Sequence, residues 1–187
     1  MGGEMTGQGP LLAVFASDKG PGDVERASLM SQAGTYFAKR GARIVCLAED
    51  GIIPVPLITA ARTAGGEVRL VADDTITLPS ALGSIPMDVV AERGERMTRL
   101  AGLADAYVAL PGSLASASSL FAAWTAGRAL GKVAPVVMLN RHRAFEVMRG
   151  YAADVLSHGL KGHDRAVQFA DSIEDAWNRV SRMAEGR

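Results

Sequence analysis

The chain is almost without cysteine, poor in aromatics and without net charge, and each shortage narrows what it can do. Cys46 is its one cysteine in 187 residues, so no intramolecular disulfide can form, which fits a reducing, cytoplasmic setting. It stands in the apolar run Ile44-Val45-Cys46-Leu47, where a small buried hydrophobe is expected rather than a reactive thiol. Lys plus Arg and Asp plus Glu both number 20, for a formal net charge of +0. A nucleic-acid backbone needs clustered positive charge, so no nucleic-acid partner is expected. His142, His158 and His163 are scattered without metal-ligand spacing, and neither a metal nor another cofactor is expected. No apolar run approaches the ~20 residues that span a bilayer, so no membrane partner is expected either. The Gly-rich stretch 1–10 lacks the basic flank and apolar centre of a signal peptide and reads as a flexible N-terminus. Its first residues, Met1-Gly2-Gly3-Glu4-Met5-Thr6, also fit the short N-myristoylation pattern.

What is present is a regular alternation. Apolar residues make up 48% of the chain, and strand-like runs at 11–16, 43–48, 67–72, 105–110, 135–140 and 166–169 are separated by helical patterns. Helices are expected over 23–40, 54–64, 91–103, 120–130 and 144–158, with a last helix capped by Ser172. The stretch 73–87 carries Pro79, Gly83 and Pro86 without a clear period; so long a connection often borders a functional site. Near-continuous apolar strands alternating with helices argue for a single α/β domain over 11–187, a Rossmann-like parallel sheet with helices on both faces. Ligands of such sheets sit outside the carboxyl ends of the strands, at the point where strand order reverses. Three loops should meet there: the one after Ala16, which contains Ser17; the one after Ala48; and the turn Pro111-Gly112.

The most informative segment is Pro111-Gly112-Ser113-Leu114-Ala115-Ser116-Ala117-Ser118-Ser119, between an apolar strand and a helix. A strand, a tight turn and a helix N-terminus suit an anionic group, because first-turn N–H groups lack intrahelical partners. The segment resembles the Pro-Gly-Gly-x-Gly-Thr-x-x-Glu signature of the LOG-type nucleoside-5′-monophosphate phosphoribohydrolases, also called lysine decarboxylase-like proteins. The similarity extends from Val14 to about Val180 and includes Ala64-Gly65-Gly66-Glu67-Val68, Asp105-Ala106-Tyr107-Val108, and Ala134 through Asn140.

That resemblance implies a phosphate site on Ser17, Pro111, Gly112, Ser113, Leu114, Ala115 and Ser116, with Arg96 in the place of the arginine that holds substrate. It also implies a departure. The glutamate that assists glycosidic cleavage is replaced by Ser119, and the earlier glycine-rich loop falls on residues 47–55, which keep almost no glycine. A hydroxyl cannot supply the negative charge an oxocarbenium-like state needs, and a positioned acid–base group contributes about 10²–10⁴ in rate. The expected function is therefore binding of a nucleotide or other phosphorylated small molecule without phosphoribohydrolase activity. The alternatives are an active hydrolase using another carboxylate, with Glu49, Asp50, Glu92 and Glu95 as candidates, or a structural homo-oligomer with a vestigial pocket. The bland reading of Ser113 and Ser116 is helix capping, and that of Arg96 a surface ion pair with Glu92 or Glu95. Members of the family pair through helices near the site, so a homodimer is expected, with the Ala-rich helix 120–130 as its interface.

Overall fold

Alternation of side chains along the first strand sets the layering. In the computed structural model, which describes residues 8–17 and 23–185, β1 (Leu11–Phe15) is buried along its whole length. Leu12 and Val14 enter one apolar cluster, whereas Leu11, Ala13 and Phe15 enter another. Successive side chains of a strand face opposite ways, so two cores require helices on both faces.

The remaining strands are β2 (Arg43–Ala48), β3 (Val68–Ala72), β4 (Met87–Val89), β5 (Ala106–Ala109), β6 (Val136–Leu139) and β7 (Val167–Ala170). They form one sheet in the order β4-β3-β2-β1-β5-β6-β7, and every pairing is parallel. The helices are α1 (Asp23–Lys39), α2 (Val55–Thr63), α3 (Arg93–Leu103), α4 (Leu114–Ala129), α5 (Glu146–Tyr151), α6 (Ser157–Gly159), α7 (His163–Ala166) and α8 (Ile173–Glu185). α1, α2 and α8 cover one face, and α3 and α4 the other. The chain thus steps outward from β1 to β4, returns to place β5 beside β1, and steps outward again to β7. Strand order reverses between β1 and β5.

Two close approaches hold the layers together. A Cβ added at Gly34 of α1 would lie 2.4 Å from the carbonyl oxygen of Leu57 in α2, so only glycine allows these helices their spacing. A Cβ at Gly127 of α4 would lie 2.8 Å from the buried Tyr107 hydroxyl, which donates to the Ala123 carbonyl at 3.4 Å. Burial pushes the Tyr107 phenol up to about 12, so it stays a neutral donor.

The structure adds detail to the sequence reading. β4 begins at Met87, the last residue of the stretch 73–87 read as a connection, and follows a 3₁₀ turn at Ser80–Leu82 within that stretch. The helix expected over 144–158 starts two residues late and carries a π segment. Asn140 accepts from the N–H of Phe145 at 2.7 Å and donates to Glu146 at 2.9 Å, which starts α5 at Glu146. A π segment over Ala152–Leu156 then joins α5 to α6 in one continuous helical run. Cys46 is buried, and burial pushes its thiol up to about 12. In α4, Leu120, Ala123, Trp124 and Gly127 are buried within the chain's own core, so that apolar side is used internally. The stretch expected to be a flexible N-terminus, with its myristoylation pattern, falls outside the described residues up to position 7. No described helix is long and apolar enough to cross a membrane, and the described residues contain no group of three or more His, Cys, Asp or Glu side chains able to hold a metal.

Candidate functional site

The crevice at the reversal point lies at the carboxyl ends of β1, β5 and β2. Its walls come from Ala16 and Ser17 after β1, Glu49 and Asp50 after β2, and Ser113, Ala115, Ser116 and Ser119 at the start of α4. It is a notch of about 60 Å³, against about 300–1,000 Å³ for pockets that enclose a whole ligand. A notch this size admits a phosphate-sized group and leaves the rest of a ligand on the surface.

One wall is built by capping. Ser113 is extended at φ −88° and ψ 163°, and its hydroxyl accepts from the N–H of Ser116 at 3.2 Å. The Ser113 and Ser116 hydroxyls lie 3.3 Å apart. The cap satisfies one first-turn donor, while the N–H groups of Leu114 and Ala115 have no intrahelical carbonyl to reach. Gly112 opens the approach to this end: a Cβ there would sit 3.3 Å from the Ser17 nitrogen and 3.5 Å from the Ser116 hydroxyl.

The facing wall is a tight turn. Glu49 and Ile52 form an antiparallel bridge across Asp50-Gly51, both of which have positive φ, 55° and 73°. Two such residues are the requirement of the primed two-residue hairpin turn. Asp73 and Thr75 hold it from behind. The N–H of Asp50 donates to Asp73 at 2.8 Å, and the N–H of Gly51 donates to the Thr75 hydroxyl at 3.0 Å. That hydroxyl and the Thr75 N–H in turn donate to Asp73 at 2.5 and 2.9 Å. Burial alone would raise the Asp73 carboxyl, but the bonds from Thr75 and Asp50 and the charge of Arg96 hold it below the usual carboxylate range.

This turn delivers Glu49 to the middle of the site. One carboxylate oxygen accepts from Arg96 Nη2 at 2.8 Å and Nε at 3.2 Å. The other accepts from the Ser119 hydroxyl at 2.8 Å. Arg96 is 4% exposed, and its Nη1 donates to the carbonyls of Val90 and Ala91 at 2.8 and 2.9 Å. Its guanidinium is thus engaged on every side by the protein. The surface pairing weighed from sequence is replaced by a buried one: Glu92 caps α3 instead, accepting from Gly94 and Glu95 at 2.8 and 2.6 Å. Those two bonds, with the charge of Arg96, outweigh desolvation and hold the Glu92 carboxyl below its ordinary value.

The structure therefore brings together Ser17, Gly112, Ser113, Ala115, Ser116 and Ser119, with Glu49 opposite. Leu114 turns outward and is 87% exposed. Pro111 lines a neighbouring hollow with Arg26 and Arg141. Arg96 lies behind Glu49 rather than in the opening. Sequence reading missed Arg93, whose Nη2 donates to Ser119 at 3.2 Å, and the Asp73–Thr75 support. Neighbouring signals existed for both: Arg93 is one helical turn before Arg96, and the pair Asp73-Asp74 directly follows an apolar strand.

Fold and crevice together define a Rossmann-like α/β protein with a small polar notch at the switch point. Solved structures of the same fold include TM1055, at 22% identity and a TM-score of 0.67 over 92% of this chain and 99% of that one. The molybdenum cofactor carrier protein of Chlamydomonas reinhardtii matches at 17% identity and a TM-score of 0.67, over 96% and 99% of the two chains. The molybdenum cofactor binding protein of the phototrophic bacterium Rippkaea orientalis matches at 16% identity and a TM-score of 0.62, over 95% and 99%. At these identities the likeness establishes the fold alone. No protein-family model matches the chain, and no curated protein matches it by sequence.

Proposed function

We propose that the chain is a LOG-like binding protein for a nucleotide or related phosphorylated small molecule, with the phosphate seated in the notch at the start of α4. The observation that carries this reading is the convergence of Ser17, Ser113 and Ser116 on the N-terminus of a sixteen-residue helix at the strand-order reversal. The helix end supplies N–H donors and a partial positive charge of about half an electron. Gly112 keeps the approach open. The carriers and binders of molybdenum cofactor that share the fold support a role in holding a small molecule.

The test is calorimetry of the full chain with nucleoside monophosphates, inorganic phosphate and molybdenum cofactor, repeated on Gly112→Ala. Gly112 has no positive φ, so alanine can keep its conformation, and the new methyl group narrows the notch by crowding the Ser17 nitrogen at 3.3 Å. Saturable binding that weakens at least tenfold in this variant is expected. Absence of binding to every phosphorylated ligand, or unchanged affinity in the variant, refutes the assignment.

One observation favours a second reading. Glu49 lies 2.8 Å from Ser119, so a carboxylate from β2 reaches the region that the family's glutamate would serve. It could act as the acid–base group of N-glycosidic hydrolysis, releasing base and ribose 5-phosphate. Its engagement by Arg96 favours the binding role, because a base must be free to take a proton. Incubation with nucleoside monophosphates and chromatography of free base decides between them. Turnover that disappears in Glu49→Gln would establish the hydrolase instead.

A further inference from the structure

The opposite end of the sheet carries a larger cavity, of about 610 Å³, within the range that holds whole small ligands. It crosses the amino ends of β2 and β3 and the entry to β4. Arg43 at the start of β2, Arg62 in the last turn of α2, Arg69 in β3 and the Ser84 hydroxyl line it. One lining carboxylate, Glu67, faces these three guanidinium groups.

Two of the three arginines, Arg43 and Arg62, carry no ion pair: among the described residues, no carboxylate oxygen pairs with either within 4.0 Å. Arg43 Nε donates to the Gly9 carbonyl at 3.1 Å, and Arg62 Nη2 to Ser84 at 2.9 Å, which fixes each side chain while leaving its charge uncompensated. Arg69 reaches Asp88 through Nη2 at 3.3 Å, but its Nε–H is buried without an acceptor. A buried donor left without a partner is uncommon and calls for an acceptor. The carbonyl end of α2 disfavours an anion here by about half a charge; Glu67 and the Asp88 partner of Arg69 offset one charge each, and the balance of the three guanidinium groups stays positive through Arg43 and Arg62.

We propose that this cavity is a second ligand site, distinct from the crevice and selective for small polyanions of the pyrophosphate class, whether free or carried on a nucleotide. Guanidinium forks match phosphoryl oxygens in pairs. Arg43 and Arg69 stand on adjacent strands, where Val45 is the register partner of Arg69, so their groups can bracket two linked phosphoryl groups while Arg62 closes the side.

The experiment titrates the full chain with pyrophosphate, ADP, adenosine and citrate by calorimetry at low and moderate salt. Pyrophosphate and ADP should bind saturably, with affinity falling as salt rises, and adenosine should not bind. Arg43→Ala/Arg62→Ala should weaken pyrophosphate at least tenfold. Arg62→Glu, a change at an exposed position, should do the same with an unchanged thermal midpoint. Pyrophosphate binding that persists in Gly112→Ala and is lost when Arg43→Ala/Arg62→Ala is added separates this site from the crevice; loss of all pyrophosphate binding in Gly112→Ala alone assigns it to the crevice and overturns the proposal. Tighter binding of ADP than of pyrophosphate assigns a nucleotide to the site, and equal binding assigns the phosphates alone. No pyrophosphate binding, equal binding of citrate, or undiminished affinity in both arginine variants overturns the proposal.

Discussion

Replacing Glu49 by alanine removes two hydrogen bonds from the Arg96 guanidinium and one from Ser119. Arg96 would keep the Val90 and Ala91 carbonyls but lose the one carboxylate that pairs with it within 4.0 Å among the described residues. Breaking a fully buried ion pair costs about 3–5 kcal/mol, whereas an exposed pair is worth about 0–1 kcal/mol. The side chains here are 5% and 16% exposed, nearer the buried limit, and the expected loss is about 2–3 kcal/mol. For a chain of 187 residues that corresponds to a fall in Tm of roughly 4–12 °C. Urea unfolding of wild type, Glu49→Ala, Arg96→Met and the double variant measures it. Because the double variant leaves neither member of this pair buried alone, it should be more stable than the sum of the single losses predicts, by at least about 1 kcal/mol. Glu49→Ala should also gain stability from phosphate, since the vacated guanidinium becomes an anion site. A single loss below about 0.5 kcal/mol, or strict additivity in the cycle, would refute the reading of Glu49 and Arg96 as a mutually dependent buried pair.

Three further outcomes follow from the same geometry. Gly127→Ala should cost about 1–3 kcal/mol by overpacking against the Tyr107 hydroxyl, and Tyr107→Phe in that background should recover part of it in thermal unfolding. Asp73 and Glu92 both titrate below their ordinary values, so their contributions are complete above about pH 5 and are lost as pH falls through their lowered values; the urea midpoint should drop in acid, less steeply in Asp73→Asn. Cys46, with its thiol raised to about 12, should resist alkylation at pH 8 in the native state and react at once in denaturant.

The architecture was legible because strands buried on both faces must be apolar at every position, as β1 is. The Ser113 cap was legible for a local reason too: donor and acceptor lie three residues apart. β4 was hidden because Met87-Asp88-Val89 is too short to show a period, and its partner strand supplies the pairing. The Glu49–Arg96 pair spans 47 positions and the Glu49–Ser119 bond spans 70. No local pattern encodes such partners; they meet because β2 lies next to β1 and the Asp50-Gly51 turn aims Glu49 back across the crevice. The late start of α5 was likewise invisible, since His142 and Arg143 adopt positive φ values of 53° and 59° in the turn where Asn140 accepts from the N–H of Phe145, without a glycine to announce it.

The most direct measurement is a ¹⁵N-HSQC titration of the full chain with a nucleoside monophosphate. The account predicts saturable shifts concentrated on the amides of Ser17 and residues 112–116. A spectrum that stays unchanged at millimolar ligand, or shifts confined to other parts of the molecule, would contradict it.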